Sequence, residues 1–205
     1  MPRRLPGSSP TVETIALHLT LDHIEPAIWR IVRVPSALSL EDLHHVNQAV
    51  MGWQDYHLHR FEVAGAFYGS EMDEPLDGYK GQGGDVTVAD ALERGGGSIG
   101  YEYDFGDGWR VTISRAEGRW SGRGAAVAEC LDGDLAGPRE DSGGPHAYTE
   151  TLAATLAGRG KLRKEVREWL GPDFDPRRFD REAVNRTLAG LTSVRQRRAG
   201  RRSTH

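Results

Sequence analysis

The sequence lacks the features that stabilise secreted and membrane-spanning proteins. Its 205 residues contain one cysteine, Cys130, so no disulfide within the chain can hold the fold. No apolar run approaches the roughly 18 residues that a membrane-spanning helix needs. Residues 1–10 carry Arg3 and Arg4 without a following apolar segment, which is not the pattern of a secretory signal. These absences predict a cytoplasmic protein with no membrane partner.

The short motifs of common enzyme classes are also missing. There is no G-x-S-x-G nucleophile elbow and no helical H-E-x-x-H, and the glycines at 81–84 lack the Lys-Ser/Thr pair of a phosphate-binding loop. The triplet Asp104-Phe105-Gly106 matches a kinase magnesium motif, but no glycine-rich nucleotide loop or H-R-D segment accompanies it. The acidic, glycine-rich surroundings of Cys130 predict a raised thiol pKa. No catalytic template is met, which favours a protein that is not an enzyme.

Charge is unevenly distributed along the chain. The formal net charge is −4, from 26 basic and 30 acidic side chains. Five basic side chains lie after residue 194 with no acid among them: Arg195, Arg197, Arg198, Arg201 and Arg202. The remainder therefore carries 21 basic against 30 acidic side chains, or −9. An acidic body repels nucleic acid, so contact with nucleic acid is expected only through this tail, which is equally well explained as a solubilising, disordered end.

The order of hydrophobic patterns predicts the fold class. Paired runs with a period of two dominate before residue 120, and periods typical of helices dominate after residue 145. Two helices are predicted earlier in the chain, one capped by Ser39 and a short one capped by Thr87. Segregation of strands from helices indicates an α+β fold with a mainly antiparallel sheet built from hairpins, a helix after the first hairpin and a C-terminal group of helices. The predicted helices in that group cover 148–156, 162–170 and 181–191.

One domain accounts for most of the chain. The body, 11–192, is divided into a sheet part up to about 120, a turn-rich loop over 121–145 with few apolar residues, and a helical part over 146–192. Proline and serine in residues 1–10 predict a disordered start, and the arginine-rich residues 193–205 a disordered tail.

The centre of the chain predicts a hairpin with an acidic tip. Residues 99–103 and 109–113 alternate as strands around a tip that contains Asp104 and Asp107. Together with Glu102 these carboxylates are candidates for a divalent-cation site or for an acid–base pair. Aspartates are also ordinary turn residues, which leaves a purely structural interpretation open. Trp109 follows the tip and is placed with the candidate functional residues.

Histidines supply a second candidate site. His44 lies on the first helix, and His57 and His59 are two residues apart, which places them on one face of a strand. Imidazole nitrogens are suitable ligands for a transition metal. The candidate metal ligands are therefore His57, His59, Asp104 and Asp107. The alternative is that these histidines are partly buried and hydrogen-bonded.

Several motifs together resemble one family. They are Pro26-Ala27-Ile28-Trp29-Arg30, Leu40-x-x-Leu43-His44, Met51-Gly52-Trp53-x-Asp55-x-His57-Leu58-His59-x-Phe61, Tyr101-x-Tyr103-Asp104-Phe105-Gly106-Asp107-Gly108-Trp109, Glu140-Asp141-x-Gly143-Gly144-Pro145-x-x-Tyr148 and Trp169-Leu170-Gly171-x-Asp173-Phe174-Asp175-Pro176-x-x-Phe179. In combination they identify the chain, from about Thr14 to Leu188, as similar to the plasmid pRiA4b ORF-3-like family.

The resemblance implies a compact α+β domain of the kind found near plasmids and mobile elements, and no established reaction. Some members carry a resolvase-like label, but a serine recombinase needs a nucleophilic serine surrounded by arginines, and this chain has no such cluster in its body. Many relatives have cysteines where this chain has Gly137 and Ser142. A cysteine-rich metal site cannot exist here with one thiol left.

Three functional hypotheses follow. The first is a non-enzymatic binding or interaction module for a protein or small ligand, with aromatic side chains lining a groove. The second is a metal-dependent hydrolase in which the tip carboxylates of Asp104 and Asp107 share a divalent ion with His57 or His59, which requires the two segments to meet in space. The third and weakest is a DNA-associated accessory protein that acts through its arginine tail.

Overall fold

The computed structural model describes residues 11–71, 77–118, 120, 122–156, 171 and 174–202. The disordered start predicted for residues 1–10 and the helix predicted over 162–170 lie outside the described residues.

A single antiparallel sheet dominates the described part of the chain. Eight strands, paired in the order β4-β3-β5-β6-β1-β2-β8, form it, and β7 pairs with the start of β1 beside β6. The strands are β1 (Thr11–Leu21), β2 (Trp29–Pro35), β3 (His59–Val63), β4 (Ala66–Gly69), β5 (Ser98–Tyr103), β6 (Trp109–Arg115), β7 (Gly122–Ala125) and β8 (Glu129–Asp134). The predicted α+β class and hairpin-built sheet are confirmed.

Four helices accompany the sheet among the described residues: α1 (Leu40–Met51), α2 (Val88–Arg94), α3 (Gly144–Leu156) and α4 (Arg181–Arg202). Local capping explains where they begin. The hydroxyl of Ser39 accepts a hydrogen bond from the Asp42 backbone N–H, and Thr87 does the same for Asp90. After α1, Gly52 adopts a left-handed φ of 85°, which glycine tolerates at a helix end.

The apolar side chains of sheet and helices merge into one core. Leu17 and Leu19 of β1, Leu43 of α1 and Ile113 of β6 are fully buried in it. Tyr101 and Tyr103, on alternate positions of β5, are buried in the same core. Burial of apolar surface is the main favourable term in folding, so this core holds β1, β5, β6 and α1 in fixed relative positions.

Two structural expectations are wrong. The segment 121–145 contains strands β7 and β8 rather than only a loop, because β8 pairs along β2 and needs few apolar side chains of its own: of Glu129–Asp134, Cys130 alone is buried. The helix predicted over 181–191 continues as α4 to Arg202, so the backbone of the arginine tail is helical up to that residue rather than disordered.

Membrane crossing finds no support among the described helices, since none combines the length and the apolar character that a bilayer span requires.

Candidate functional site

The two histidines of the H-x-H segment do not share a face. Strand β3 begins at His59, and His57 lies before it in an irregular turn that follows Asp55, whose φ is +60°. Period-two alternation applies only inside a regular strand. The expectation that both imidazoles serve one metal site is therefore wrong, and each enters a different cluster.

The inner cluster joins α1, the turn after it and β5 through a closed ring of hydrogen bonds. The Gln48 amide donates to the Tyr101 hydroxyl oxygen over 3.0 Å. That hydroxyl lies 2.8 Å from Nδ1 of His44, whose Nε2 lies 2.8 Å from Asp55. The Asp55 backbone N–H closes the ring on the Gln48 side-chain oxygen. With Tyr101 donating to Nδ1, the Nε2–H of His44 donates to Asp55, and every polar group in the ring has a partner.

His59 stacks on the imidazole of His44, which belongs to this inner cluster. Its imidazole lies 3.6 Å, centroid to centroid, from that of His44, and its Nδ1 is 3.1 Å from the Ser70 hydroxyl. Burial lowers the pKa of His59 to about 3, and burial likewise lowers the pKa of His44 despite the nearby Asp55 carboxylate. Both rings are neutral at pH 7. Donor atoms of His44, His59 and Asp55 lie within 4.8 Å of one another, which is close enough to share a metal ion. Both nitrogens of His44 already have hydrogen-bond partners, however, so we interpret the inner cluster as structural.

The outer cluster surrounds His57. Its Nε2 lies 3.1 Å from Oδ1 of Asp141, 3.5 Å from Oδ2 of Asp104 and 3.8 Å from Oε2 of Glu140. We call these four residues the His57 cluster. It brings together two of the predicted metal residues, His57 from the turn before β3 and Asp104 from the β5–β6 tip.

Asp104 is fixed by the β5–β6 tip. Its φ is +54°, its carbonyl accepts from the Gly108 N–H, and its Oδ1 accepts from the backbone N–H groups of Gly106 and Asp107. This Asx turn satisfies one carboxylate oxygen and leaves the other, Oδ2, facing His57. The tight tip expected from the sequence therefore orients the carboxylate.

Glu140 is held from the opposite side. Its Oε1 accepts hydrogen bonds from the Tyr103 hydroxyl and the Gln54 backbone N–H, over 2.8 Å and 2.6 Å. Its Oε2 is left facing His57. Burial, together with this bond to Glu140, raises the pKa of Tyr103 well above its ordinary value, so the phenol stays protonated and donates.

The remaining predicted residues lie elsewhere. Asp107 has a different partner, since its Oδ2 accepts from the Gly143 backbone N–H over 2.9 Å. Glu102 alternates with two buried tyrosines, so it faces the other side of the sheet and pairs with Arg60. Trp109 is a core residue, 1% exposed. The expected convergence of Glu102 and Asp107 with Asp104 is therefore wrong. The tail arginines lie on the last turns of α4.

The single thiol is a buried group on β8. Cys130 is 1% exposed, and burial raises the pKa of its thiol to about 11 even though Arg30 opposes the shift. The predicted direction holds, but burial rather than acidic surroundings is the main cause.

An open cleft lies beside the His57 cluster and was not predicted. Its volume is about 510 Å³. It runs between the end of α1, the segment 136–140 and the start of α4, and Gln54 and Glu140 line it as well as bordering the His57 cluster. The family motifs at Glu140-Asp141 and from Phe174 to Phe179 contain several residues that line the cleft. Nothing in the sequence indicates that these two segments meet.

Arginine and aromatic side chains form one wall of the cleft. Arg30, only 1% exposed, donates to four backbone carbonyls, those of Trp29, Val50, Asp134 and Leu135. Its guanidinium lies 4.0 Å from the Phe179 ring centroid, and that of Arg139 lies 5.3 Å from Phe174. Burial lowers the pKa of Arg30 to about 10, which still leaves it charged at neutral pH.

Comparison with known proteins gives a consistent result. The family model described as "Plasmid pRiA4b ORF-3-like protein" matches residues 13–183. The "Uncharacterized protein y4hQ" of Sinorhizobium fredii (strain NBRC 101917 / NGR234) is 32% identical over 195 residues, which cover 92% of this chain and 97% of that protein. The crystal structure of the protein of unknown function MM3350 from Methanosarcina mazei Go1 is 33% identical with a TM-score of 0.68, covering 83% of this chain and 96% of that one.

Proposed function

The chain belongs to the plasmid pRiA4b ORF-3-like family, and we propose that it is a binding module whose cleft holds a small anionic ligand. The family name refers to a plasmid reading frame, which is compatible with the expected plasmid or mobile-element setting. The named relatives are described only as uncharacterised or of unknown function. The metal-hydrolase alternative is not carried forward, because its ligand set included His59 and Asp107, and both side chains have other partners.

The observation that carries the proposal is the buried guanidinium of Arg30 in the cleft wall. Among the described residues it forms no ion pair with a carboxylate, and its acceptors are neutral carbonyls. A buried charge that lacks a counter-ion is costly, and carbonyl dipoles offset only part of that cost. An anion in the cleft would supply the missing opposite charge.

The shape and composition of the cleft agree with this ligand class. Sites for small molecules are typically about 300–1,000 Å³ in volume and combine apolar walls with a few polar groups. Here the rings of Phe174 and Phe179 supply the apolar wall and Arg139 adds a second guanidinium, whereas Arg178, also in the lining, lies 3.6 Å from the Asp180 carboxylate. Guanidinium groups bind carboxylates and phosphates through paired hydrogen bonds. The ligand we expect is therefore a small carboxylate or phosphate compound.

The test is titration calorimetry of the full chain with citrate and with inorganic phosphate. We expect saturable binding of at least one of them, weakened about tenfold or more in Arg139→Gln, because a hydrogen bond to a charged group contributes about 1.5–3 kcal/mol. Arg94→Gln, which removes one exposed positive charge on α2, is the matched control and should bind like the original chain. Equal affinities in both variants, or no binding of either anion, would reject the proposal.

A further inference from the structure

Three carboxylate oxygens converge on one imidazole nitrogen in the His57 cluster. Nε2 of His57 has almost no solvent-accessible surface and no hydrogen-bond partner in the described part of the chain. The side chains of Asp104 and Glu140 are each 9% exposed, and each uses one oxygen for framework hydrogen bonds and turns the other toward Nε2. Asp141, 71% exposed, completes the group from the solvent side.

Ordinary hydrogen bonding cannot satisfy this arrangement. An imidazole Nε2 carries at most one proton, which can serve one carboxylate and not three. Even a protonated His57 leaves two negative charges without compensation, since within the described residues these carboxylates form ion pairs with no lysine or arginine. Concentrating uncompensated charge in a partly buried site is unfavourable. A bound cation would supply the missing positive charge.

The spacing of the donor atoms agrees with metal coordination. Metal–oxygen and metal–imidazole distances are about 2.0–2.2 Å, so neighbouring ligand atoms stand about 3.0 Å apart in an octahedral shell and about 3.4 Å apart in a tetrahedral one. The three distances from Nε2 of His57, 3.1, 3.5 and 3.8 Å, fall near these values. Nitrogen and oxygen donors of His57, Asp104 and Asp141 also lie within 4.8 Å of one another in every pairing.

We propose that His57, Asp104 and Asp141 bind one divalent first-row transition-metal ion, of the class of Zn²⁺ or Mn²⁺, with Glu140 as a further carboxylate beside the site. One imidazole with two carboxylates suits these ions better than Mg²⁺ or Ca²⁺, which prefer all-oxygen shells. With neutral His57 the two ligand carboxylates balance the charge of the ion.

The framework around the cluster is already that of an outer coordination shell. The Asx turn holds Asp104, and the Tyr103 hydroxyl and the Gln54 N–H hold the neighbouring Glu140, so both carboxylates are oriented by bonds that the metal does not have to replace. Such outer partners fix ligand geometry and raise metal affinity. Because Glu140 also lines the cleft, the ion lies at the edge of the proposed anion site. The metal site itself does not depend on anion binding.

The first experiment is titration calorimetry of full-length, tag-free protein treated with chelator, using ZnCl₂ and MnCl₂. We expect one ion per chain. Asp104→Asn should weaken binding about tenfold or more, because asparagine keeps the turn and its left-handed φ but loses the anionic ligand. The matched control is Asp107→Asn, which removes the same charge three residues away and retains an acceptor for the Gly143 N–H. It should leave affinity unchanged.

A spectroscopic measurement identifies the nitrogen ligand. Electron spin echo envelope modulation of Mn²⁺ bound to the Asp107→Asn protein should show a coupled imidazole nitrogen. This signal should disappear in His57→Gln. It should persist in the control variant His146→Ala, which removes an exposed histidine. Circular dichroism and melting curves establish that each variant is folded. No binding of either ion, or equal affinity in Asp104→Asn and Asp107→Asn, would overturn the proposal. Because these variants leave the cleft arginines in place, the anion proposal is judged separately.

Discussion

At the scale of single residues, His57 and His59 are close in the chain and distinct in chemistry. His57 presents an unpartnered nitrogen to three carboxylates, whereas His59 is stacked on His44 and kept neutral by burial. The difference arises from the irregular turn before β3, which rotates His57 out of the strand pattern. One imidazole is therefore available for ligation and the other contributes to the fold.

Burial of His59 has a consequence for acid stability. Its pKa is about 3 in the folded protein and about 6.5 in an unfolded chain, so the unfolded state binds more protons between these values. The contribution of His59 to the free energy of unfolding is therefore fully present above about pH 6.5. It decreases as the pH drops below that value, by up to about 1.4 kcal/mol per pH unit. Urea unfolding at pH 7, 6 and 5 should show a shallower decline in His59→Gln. Parallel declines in the two proteins would contradict this assignment.

Glycine at position 137 is predicted to be essential for packing. A Cβ atom there would lie 1.9 Å from the Met51 carbonyl oxygen, which forces the backbone of one segment to move. We expect Gly137→Ala to lower the free energy of unfolding by about 2–4 kcal/mol.

Gly190 provides a contrasting position. There, within α4, an added Cβ would meet no atom within 4 Å. Gly190→Ala should stabilise the protein by about 0.5–1 kcal/mol because alanine favours helix. Chemical denaturation distinguishes the two, and similar effects would refute the packing argument.

At the scale of elements, α4 completes β8 as a neighbouring strand would. The Asn185 side chain accepts from the Cys130 backbone N–H over 2.7 Å and donates to its carbonyl over 2.9 Å. One amide thus satisfies both backbone groups of an edge strand, which would otherwise require water or another strand. This contact fixes the start of α4, and with it the side of the cleft that Phe179 lines.

Removal of this amide should loosen the edge strand. We expect Asn185→Ala to cost about 1–3 kcal/mol, since it leaves a buried donor and acceptor without partners. Hydrogen exchange of the Cys130 amide should accelerate with it. The comparison variant is Asn185→Asp, which keeps the acceptor for the Cys130 N–H and should protect that amide better than alanine does. Equal exchange rates in all three proteins would show that α4 does not support β8.

At the scale of the whole molecule, the acidic body and the arginine-bearing end of α4 have opposite charges. The nucleic-acid hypothesis depends only on that end, and the ligand hypotheses depend only on the body. Deletion of residues 195–205 should therefore leave anion and metal binding unchanged.

The deletion also tests the accessory-protein hypothesis. If the tail contacts DNA, fluorescence anisotropy should show an affinity for duplex DNA that decreases between 50 and 200 mM salt and disappears in the deletion variant. The slope of log affinity against log salt concentration should correspond to no more than about five phosphate contacts, one for each tail arginine. Affinity retained after deletion would place any DNA contact on the body instead.

The sequence by itself determined the family, the fold class and the main hairpins. Ser39, Thr87 and the Asp104–Gly108 tip specify local structure through bonds to their own neighbouring backbone, so a reader of the chain can identify them. The candidate residues His57 and Asp104 followed from donor chemistry alone. Strand β8 could not be predicted, because it is defined by pairing with β2 and by Asn185, not by apolar side chains of its own.

Only the tertiary structure decided which donors meet. Asp104 and Glu140 are 36 positions apart and share a site because core packing fixes the β5–β6 tip against the segment before α3. It also separated His59 and Asp107 from that site by giving each another partner, and it placed Arg30 in a cleft wall. Contacts between distant segments depend on the sum of many packing interactions. No spacing within the chain records them.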